Sequence, residues 1–129
     1  MAENNLEKNN IFDLPLNKYA SEYSTGMKKK LALTSLLIVK NDVFLLDEPF
    51  NGIDIQSNIL FYEILTRLKE KGKIIILSSH IFSAINDTCD HMYYLKNGEI
   101  FKEGPKEDFK KIENQLRAEV IDKHLGSLI

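Results

Sequence analysis

The stretch Val43-Phe44-Leu45-Leu46-Asp47-Glu48-Pro49 decides how the rest of the chain is organised. Four apolar residues in a row predict a strand buried on both faces, as in a parallel sheet. Two carboxylates follow at once, and Pro49 discourages further strand pairing. Ligands of α/β proteins bind at the carboxyl ends of strands, so one carboxylate could hold Mg²⁺ while the other faces an attacking water. A strand that ends in a polar turn explains the same residues, and the flanking segments decide between the two interpretations.

Length and composition indicate one globular domain. The chain has 129 residues, of which 43% are hydrophobic and 28% charged. Its 17 basic and 19 acidic residues leave a net charge of -2, which gives no support for nucleic-acid binding. Apolar runs are far shorter than the roughly 20 residues of a membrane span, and the N-terminus lacks a signal-peptide pattern. A single cysteine, Cys89, allows no internal disulfide and favours a cytoplasmic location.

The segment before the strand predicts a helix that is capped by Ser24 or Thr25 and runs to about Val39. Its buried face is expected at helical spacing, over Met27, Leu31, Ala32, Leu36 and Val39. Three lysines, residues 28–30, lie in the first turn, where cations oppose the helix dipole. With Gly26 and free N–H groups nearby, they suggest an anion site. A capped helix with a solvated lysine face accounts for them equally well.

The segment after Pro49 predicts a second strand in parallel with the first. Asp54 can cap a helix over about 55–71, whose core residues are expected among Ile55, Ile59, Phe61, Tyr62, Leu65 and Leu68. Gly72 is placed as its C-cap, and residues 73–78 form the next buried strand. His80 follows that strand, so it is expected at the same sheet edge as Asp47 and Glu48.

The remaining residues predict a hairpin between two helices. A short helix is expected over 81–88, and strands over 91–95 and 99–102 flank Asn97-Gly98, a strong hairpin signal. Gly104-Pro105 breaks the chain, and residues 108–124 form a helix with an apolar stripe at Phe109, Ile112, Leu116, Val120 and Leu125. The expected organisation is a polar segment and connector over 1–22, a main part over 23–104 and a helical extension over 105–129.

These segments, in this order, resemble the C-terminal part of an ABC-type ATPase, the nucleotide-binding domain of ABC transporters. The matching motifs are the signature at Tyr23–Met27, the Walker B strand at Val43–Glu48, the D-loop at Asn51–Asp54, the switch histidine at Ser78–His80 and the following hairpin at Tyr94–Ile100. The resemblance implies an α/β fold with a partial P-loop NTPase (RecA-like) core, a parallel sheet with helices, and a C-terminal β-hairpin. Tyr23, Thr25 and Met27 depart from the usual Leu-Ser-Gly-Gly-Gln and resemble the branch that drives multidrug or antibiotic exporters.

The phosphate-binding half of that family is absent from the sequence. The phosphate loop reads Gly-x4-Gly-Lys-Ser/Thr, but no two of the glycines at 26, 52, 72, 98, 104 and 126 are five apart. No Q-loop precedes the signature either, since Gln56 and Gln115 both follow it. The sequence therefore corresponds to about half of a nucleotide-binding domain, and alone it is expected to bind ATP weakly and hydrolyse it negligibly.

The resemblance implies roles for individual residues. Asp47 binds Mg²⁺, Glu48 polarises water and His80 contacts the γ-phosphate of ATP. The signature residues Ser24, Thr25, Gly26 and Met27 contact ATP held by a second nucleotide-binding subunit in a head-to-tail dimer, and Asp54 reaches across that dimer. Replacing Gly26 by Asp is expected to impair hydrolysis more than folding. Membrane-spanning permease subunits are the further partners, so the chain is expected at the cytoplasmic face of the membrane.

Two other functions remain open at this point. The chain could be a non-catalytic module that regulates or scaffolds an intact ATPase. It could also be the C-terminal lobe of a chromosome-maintenance or repair ATPase, although residues 1–22 show no sustained heptad of the preceding coiled coil.

The strand over 73–78 is expected to have one edge without its family partner, because the phosphate-loop strand is missing. Its apolar residues make that edge a template for another chain. We expect self-association through this edge, filling of the gap by the strand over 91–95, or a strand supplied by a separate N-terminal half.

Overall fold

The computed structural model describes residues 7–126 and divides the chain into two compact units, Met1–His80 and Ile81–Ile129. The helices are α1 (Thr25–Val39), α2 (Ile55–Glu70), α3 (Phe82–Thr88) and α4 (Phe109–Leu125), with short 3-10 turns at Ala20–Glu22 and Lys106–Asp108. The strands are β1 (Val43–Asp47), β2 (Ile74–Ser78), β3 (His91–Lys96) and β4 (Glu99–Pro105). The polar segment and connector expected over 1–22 lies partly outside the described residues.

The first unit is built on the predicted β–α–β arrangement. Strands β1 and β2 pair in parallel, with Val43 opposite Ile74 and Asp47 opposite Ser78, and α2 connects them. The buried apolar residues of this unit are Leu14, Tyr23, Leu33, Phe44, Phe50, Phe61 and Leu65. Aromatic packing holds the loop after β1, because the Phe50 ring lies 6.0 Å from that of Phe61. The α/β fold with a parallel sheet is confirmed.

The prediction that both strands are buried on both faces is wrong. Phe44 is buried, but on the other face the exposed fractions are 50% for Val43, 72% for Leu45, 58% for Ile74 and 60% for Ile76. The described residues form one covered side of a two-stranded sheet and leave the second side without a packing layer. A run of apolar residues is typical of a strand that is covered on both faces. Within the described residues, however, a packing layer covers only one face of the sheet.

Two helix faces also differ from the prediction. The buried residues of α1 are Gly26, Leu33 and Thr34, whereas Ala32 and Val39 are exposed. This helix is apolar on most sides, so periodicity could not identify its packed face. In α2, Phe61 and Leu65 are buried as expected, but Ile55 and Ile59 in its first two turns are exposed.

The second unit is a hairpin covered by helices. Asn97 and Gly98 both have positive φ, 53° and 81°, as a two-residue hairpin turn with right-handed twist requires. Met92, Phe109 and Ile112 form its core. Strand β4 runs on through Gly104-Pro105 rather than breaking there, since Gly104 pairs with Met92 and Pro105 ends the strand, where a missing N–H costs no ladder hydrogen bond.

The apolar stripe of α4 is shorter than predicted. Phe109 and Ile112 are buried and Leu116 is partly buried, but Val120 and Leu125 are exposed beyond the hairpin. Strand β3 pairs with β4, so the expectation that it fills the gap beside β2 is wrong. No helix between residues 7 and 126 is long and apolar enough to cross a membrane.

Candidate active site at the carboxyl end of the sheet

The carboxyl ends of β1 and β2 bring the acidic residues and the histidine together. Asp47 is the last residue of β1 and lies opposite Ser78, the last residue of β2. Glu48 follows Asp47, and His80 lies two residues beyond Ser78. The Nδ1 atom of His80 is 3.0 Å from the Oε2 atom of Glu48. The prediction that His80 shares this edge with both carboxylates is confirmed.

Ser78 links the two acidic residues, a role that the sequence analysis missed. Its hydroxyl donates a short hydrogen bond to Oδ1 of Asp47 and accepts one of 3.0 Å from the N–H of Glu48. The same N–H group lies 3.2 Å from the Ser78 carbonyl oxygen. The available signal was the strand register, because an in-register parallel pair places the last residue of β2 beside the first carboxylate.

Glu48 has a left-handed backbone, with φ at +46°. A non-glycine residue in this conformation costs about 1–2 kcal/mol relative to the right-handed region, so the surrounding contacts must hold it there. The left-handed residue turns the chain away from the sheet immediately after β1. Its carboxylate is two-thirds buried, whereas the His80 imidazole is two-thirds exposed.

Lys29 holds the turn that follows Glu48. Its ammonium group donates hydrogen bonds of 2.6 Å to the Glu48 carbonyl and 2.9 Å to the Asn51 carbonyl. Lys30 also binds within the chain, because its ammonium group donates a hydrogen bond of 2.6 Å to Oδ2 of Asp54. Two of the three lysines in the first turns of α1 are thus bound within the chain. This arrangement contradicts a wholly solvated lysine face and leaves Lys28 as the exposed cation of the three.

The signature segment forms the N-terminus of α1. Ser24 caps the helix, because its hydroxyl accepts a hydrogen bond of 3.2 Å from the Met27 N–H. Thr25 is exposed, Met27 is half-buried and Gly26 is buried. Tyr23, where the family motif has Leu, is buried and donates its hydroxyl hydrogen to the Pro15 carbonyl at 2.8 Å.

Asp54 begins α2 and is held within the chain. Its carboxylate accepts a hydrogen bond of 2.9 Å from the Ser57 N–H and one of 2.8 Å from the Ser57 hydroxyl. It accepts a third from the Lys30 ammonium group. The hydrogen bond from Lys30, together with those from Ser57, holds the pKa of Asp54 well below its ordinary value. Asp54 is therefore charged at neutral pH, and its expected reach towards a partner remains a prediction.

The donor chemistry at this edge fits a magnesium ion that is shared with phosphate. Asp47, Glu48 and Ser78 offer hard oxygen atoms, which Mg²⁺ prefers. Within residues 7–126, no group of three or more His, Cys, Asp or Glu side chains could hold a metal ion by itself. In proteins, Mg²⁺ is usually bound by one or two carboxylates together with water and substrate phosphates. A cradle of backbone N–H groups for the phosphates themselves is not among the motifs of this sequence.

The sequence of this chain matches one family model and the ATP-binding proteins of ABC transporters. Residues 10–85, more than half of the chain, match the family described as "AAA domain, putative AbiEii toxin, Type IV TA system". The ABC transporter ATP-binding protein NatA of Bacillus subtilis is 35% identical over 98 residues, which cover 76% of this chain and 40% of that protein. Nod factor export ATP-binding protein I of Rhizobium etli is 34% identical over 111 residues, covering 86% of this chain and 34% of that protein.

The structural comparison finds the same kind of protein. A solved structure of the ATP-binding subunit of an ABC transporter superposes with a TM-score of 0.71 at 27% identity, covering 84% of this chain and 45% of that one. The chain thus spans less than half the length of each relative described here. Residues 10–85, which the family model matches, contain the strand-end carboxylates, the histidine and the helix capped by Ser24.

Proposed function

Since this chain belongs to the AAA-domain ATPase family and corresponds to the C-terminal part of ABC transporter ATP-binding proteins, we propose that it supplies the water-activating half of an ATP-hydrolysing subunit that powers transmembrane export. The observation that carries the proposal is the grouping of Asp47, Glu48, Ser78 and His80 at one sheet edge. A relative named for Nod factor export supports the direction of transport. The phosphate-binding half must come from polypeptide outside these residues.

Asp47 is the residue that would hold Mg²⁺, which when bound supplies charge neutralisation at the phosphates. Ser78 donates to one carboxylate oxygen of Asp47 and so fixes the orientation of the group. A carboxylate with one oxygen tied to the protein keeps its second oxygen in a defined direction, which lowers the entropy cost of binding.

Glu48 orients and polarises the attacking water, and His80 stands beside it. The 3.0 Å distance between the imidazole and the carboxylate supports a role for both groups around one small volume outside the sheet edge. A γ-phosphate placed there contacts the exposed His80 ring while water lies against Glu48. Positioning and charge stabilisation are the main contributions that a protein makes to phosphoryl transfer.

The partner in this proposal is a second nucleotide-binding subunit, arranged head to tail. Ser24, Thr25 and Met27 lie at the N-terminus of α1, where free N–H groups favour an anion held by another subunit. Gly26 brings the backbone close to that position. Membrane-spanning permease subunits are the other partners, which places the assembly at the cytoplasmic face of a membrane. ATP and Mg²⁺ are the proposed cofactors.

The test is to complete the domain and measure ATP hydrolysis. The chain is joined to the N-terminal part of the Bacillus subtilis relative, and its turnover is compared with that of Glu48→Gln. The substitution keeps the side-chain shape but removes the charge that polarises water, so ATP binding should persist while most turnover is lost. Glu63→Gln, on the exposed side of α2, is the matched control.

Two results contradict the proposal. Turnover of Glu48→Gln at the parent rate would remove the assigned role of Glu48. A completed protein that binds no ATP, or that changes the activity of an intact ATPase without turning over itself, would favour the regulatory module instead.

A further inference from the structure

We propose that Lys29 is a positioning residue that holds the Glu48 backbone in its left-handed conformation and thereby aims the carboxylate. The inference rests on the function proposed above for Glu48. Lys29 lies in the second turn of α1, five residues after Ser24, and its side chain is partly buried. No motif of the sequence analysis assigned it a role separate from its two lysine neighbours.

The contacts of Lys29 span the turn after β1. Its ammonium group donates to the carbonyls of Glu48 and Asn51, the first and last residues of that turn. The turn closes with a hydrogen bond of 3.3 Å from the Asn51 N–H to the same Glu48 carbonyl. A cation bound to both carbonyls bridges the two ends of the turn and stabilises the turn more than a neutral donor could.

Glu48 is held at both of its peptide groups. Ser78 accepts from its N–H, and Lys29 donates to its carbonyl. A residue with φ at +46° reverts to an ordinary conformation unless the groups on each side fix it. Removing either contact therefore frees the direction of the carboxylate without removing the carboxylate itself.

The N-terminus of α1 is fixed against the same loop at two further points. The Gly26 backbone packs against Gly52, and Lys30 pairs with Asp54. These contacts set the distance from α1 to the turn, so the four-carbon stem of Lys29 reaches both carbonyls. A lysine ammonium is a compact point charge with three donors, which suits two carbonyls at different angles. The cost of a cation near a helix N-terminus is offset by these bonds.

Lys29 also connects the signature segment to Glu48. Ser24 and Gly26 lie on the first turn of α1, and Lys29 lies one turn further along the same helix. A displacement of α1 therefore changes the position of the Glu48 backbone through the hydrogen bond from the Lys29 side chain.

The first experiment measures amide hydrogen exchange by mass spectrometry on the purified 129-residue chain. The variants are Lys29→Gln and Lys29→Arg, with Lys28→Gln as the control that removes the same charge from the adjacent, exposed position. We expect Lys29→Gln to raise exchange in the segment 48–52 at least about tenfold, because it removes two hydrogen bonds from a charged donor. Exchange in α2 around Phe61 should stay at the parent rate, Lys28→Gln should match the parent, and Lys29→Arg should recover most of the protection.

An equal rise throughout residues 7–80 would show that Lys29 supports only global stability, and no rise would remove its contact with the turn. Either result overturns the proposal. The second experiment uses the completed protein, in which Lys29→Gln should lower kcat about tenfold and leave KM for ATP unchanged, since the Lys29 ammonium is bound to the two carbonyls of the turn. An unchanged kcat also overturns the proposal. If the completed parent does not hydrolyse ATP, the proposed function fails, while the exchange result still decides whether Lys29 positions Glu48.

Discussion

Gly26 lies so close to Gly52 that a Cβ atom on Gly26 would stand 2.4 Å from the Gly52 carbonyl oxygen. That distance is far inside van der Waals contact, and the obstacle is backbone rather than a flexible side chain. The signature glycine therefore has a packing reason within this chain, independent of any nucleotide. Our expectation that Gly26→Asp would impair hydrolysis more than folding is revised, because the substitution must first displace the loop at Gly52.

Gly26→Ala should destabilise the chain. Ala ordinarily stabilises a helix by about 0.5–1 kcal/mol over Gly, but forced overpacking costs about 1–3 kcal/mol. A urea titration of parent and variant, followed by circular dichroism, gives the sign. Gly104→Ala is a useful comparison, since its Cβ would meet side chains rather than backbone, with Ile112 Cδ1 at 3.1 Å and Asp108 Cβ at 3.2 Å. A Gly26→Ala chain more stable than the parent would contradict the close contact.

Glu48→Gly should be more stable than Glu48→Ala by about 1 kcal/mol. Both substitutions remove the carboxylate, but only glycine adopts positive φ without a steric cost. The φ of Glu48 is +46°, so the alanine variant keeps the strain and the glycine variant releases it. Thermal unfolding of the two variants under identical conditions measures the difference. Equal stability, or a more stable alanine variant, would show that Glu48 is unstrained in solution.

The ion pair between Asp54 and Lys30 should make stability depend on pH at the acidic side. The pKa of Asp54 is lowered in the folded chain, so the folded state binds fewer protons than the unfolded state near that pKa. The stabilisation is fully present above the ordinary pKa of about 3.9 and is lost as the pH falls towards the lowered folded value.

Asp54→Asn isolates this effect because Asn caps helices as well as Asp does. We expect the parent to be more stable than Asp54→Asn near neutral pH, with the difference shrinking below about pH 4. In a Lys30→Met background, the effect of Asp54→Asn should be smaller. Urea titrations across this range measure both, and a difference that does not change with pH would rule out the ion pair as its source.

The isolated chain should bind Mg-ATP weakly and hydrolyse it negligibly. Glu48 and His80 cannot act on a γ-phosphate that no phosphate loop holds in place. Isothermal titration calorimetry of the purified chain is the measurement. A micromolar dissociation constant, about -8 kcal/mol, would mean that the residues present form a nucleotide site by themselves.

The isolated chain should self-associate through the sheet of β1 and β2. Val43, Leu45, Ile74 and Ile76 form an exposed apolar face, and within residues 7–126 β2 pairs with β1 alone. Unpaired strand edges with apolar side chains are templates for another chain. Sedimentation velocity over a wide concentration range should show association for the parent and less for Ile76→Lys.

Ile55→Lys is the matched control for this prediction, because Ile55 is at least as exposed but lies on α2. It should associate like the parent. A compact monomer at every concentration would contradict self-association. The N-terminal part of a relative can also be added to the chain. A 1:1 complex that does not associate further would then support a strand supplied by another polypeptide.

The order of elements and the position of the candidate site followed from the sequence alone. Caps at Ser24 and Asp54 depend on a hydroxyl or carboxylate at one position, and the turn at Asn97-Gly98 depends on two residues that tolerate positive φ. The meeting of Asp47 and Glu48 with His80 depends only on two strands running in the same direction. Such features are local or are set by connectivity, so residue patterns contain them.

Only the tertiary structure decided which apolar surfaces are covered and what the polar side chains bind. Val43 and Leu45 are residue types that are usually buried, but within residues 7–126 no second layer covers their face of the sheet. Lys28, Lys29 and Lys30 are chemically identical, yet their directions around α1 send one to two carbonyls, one to Asp54 and one to solvent. Ser78 contacts both carboxyl-bearing residues because of register. Side-chain direction and the identity of the neighbour across space are properties of the packed chain, and a residue pattern does not specify them.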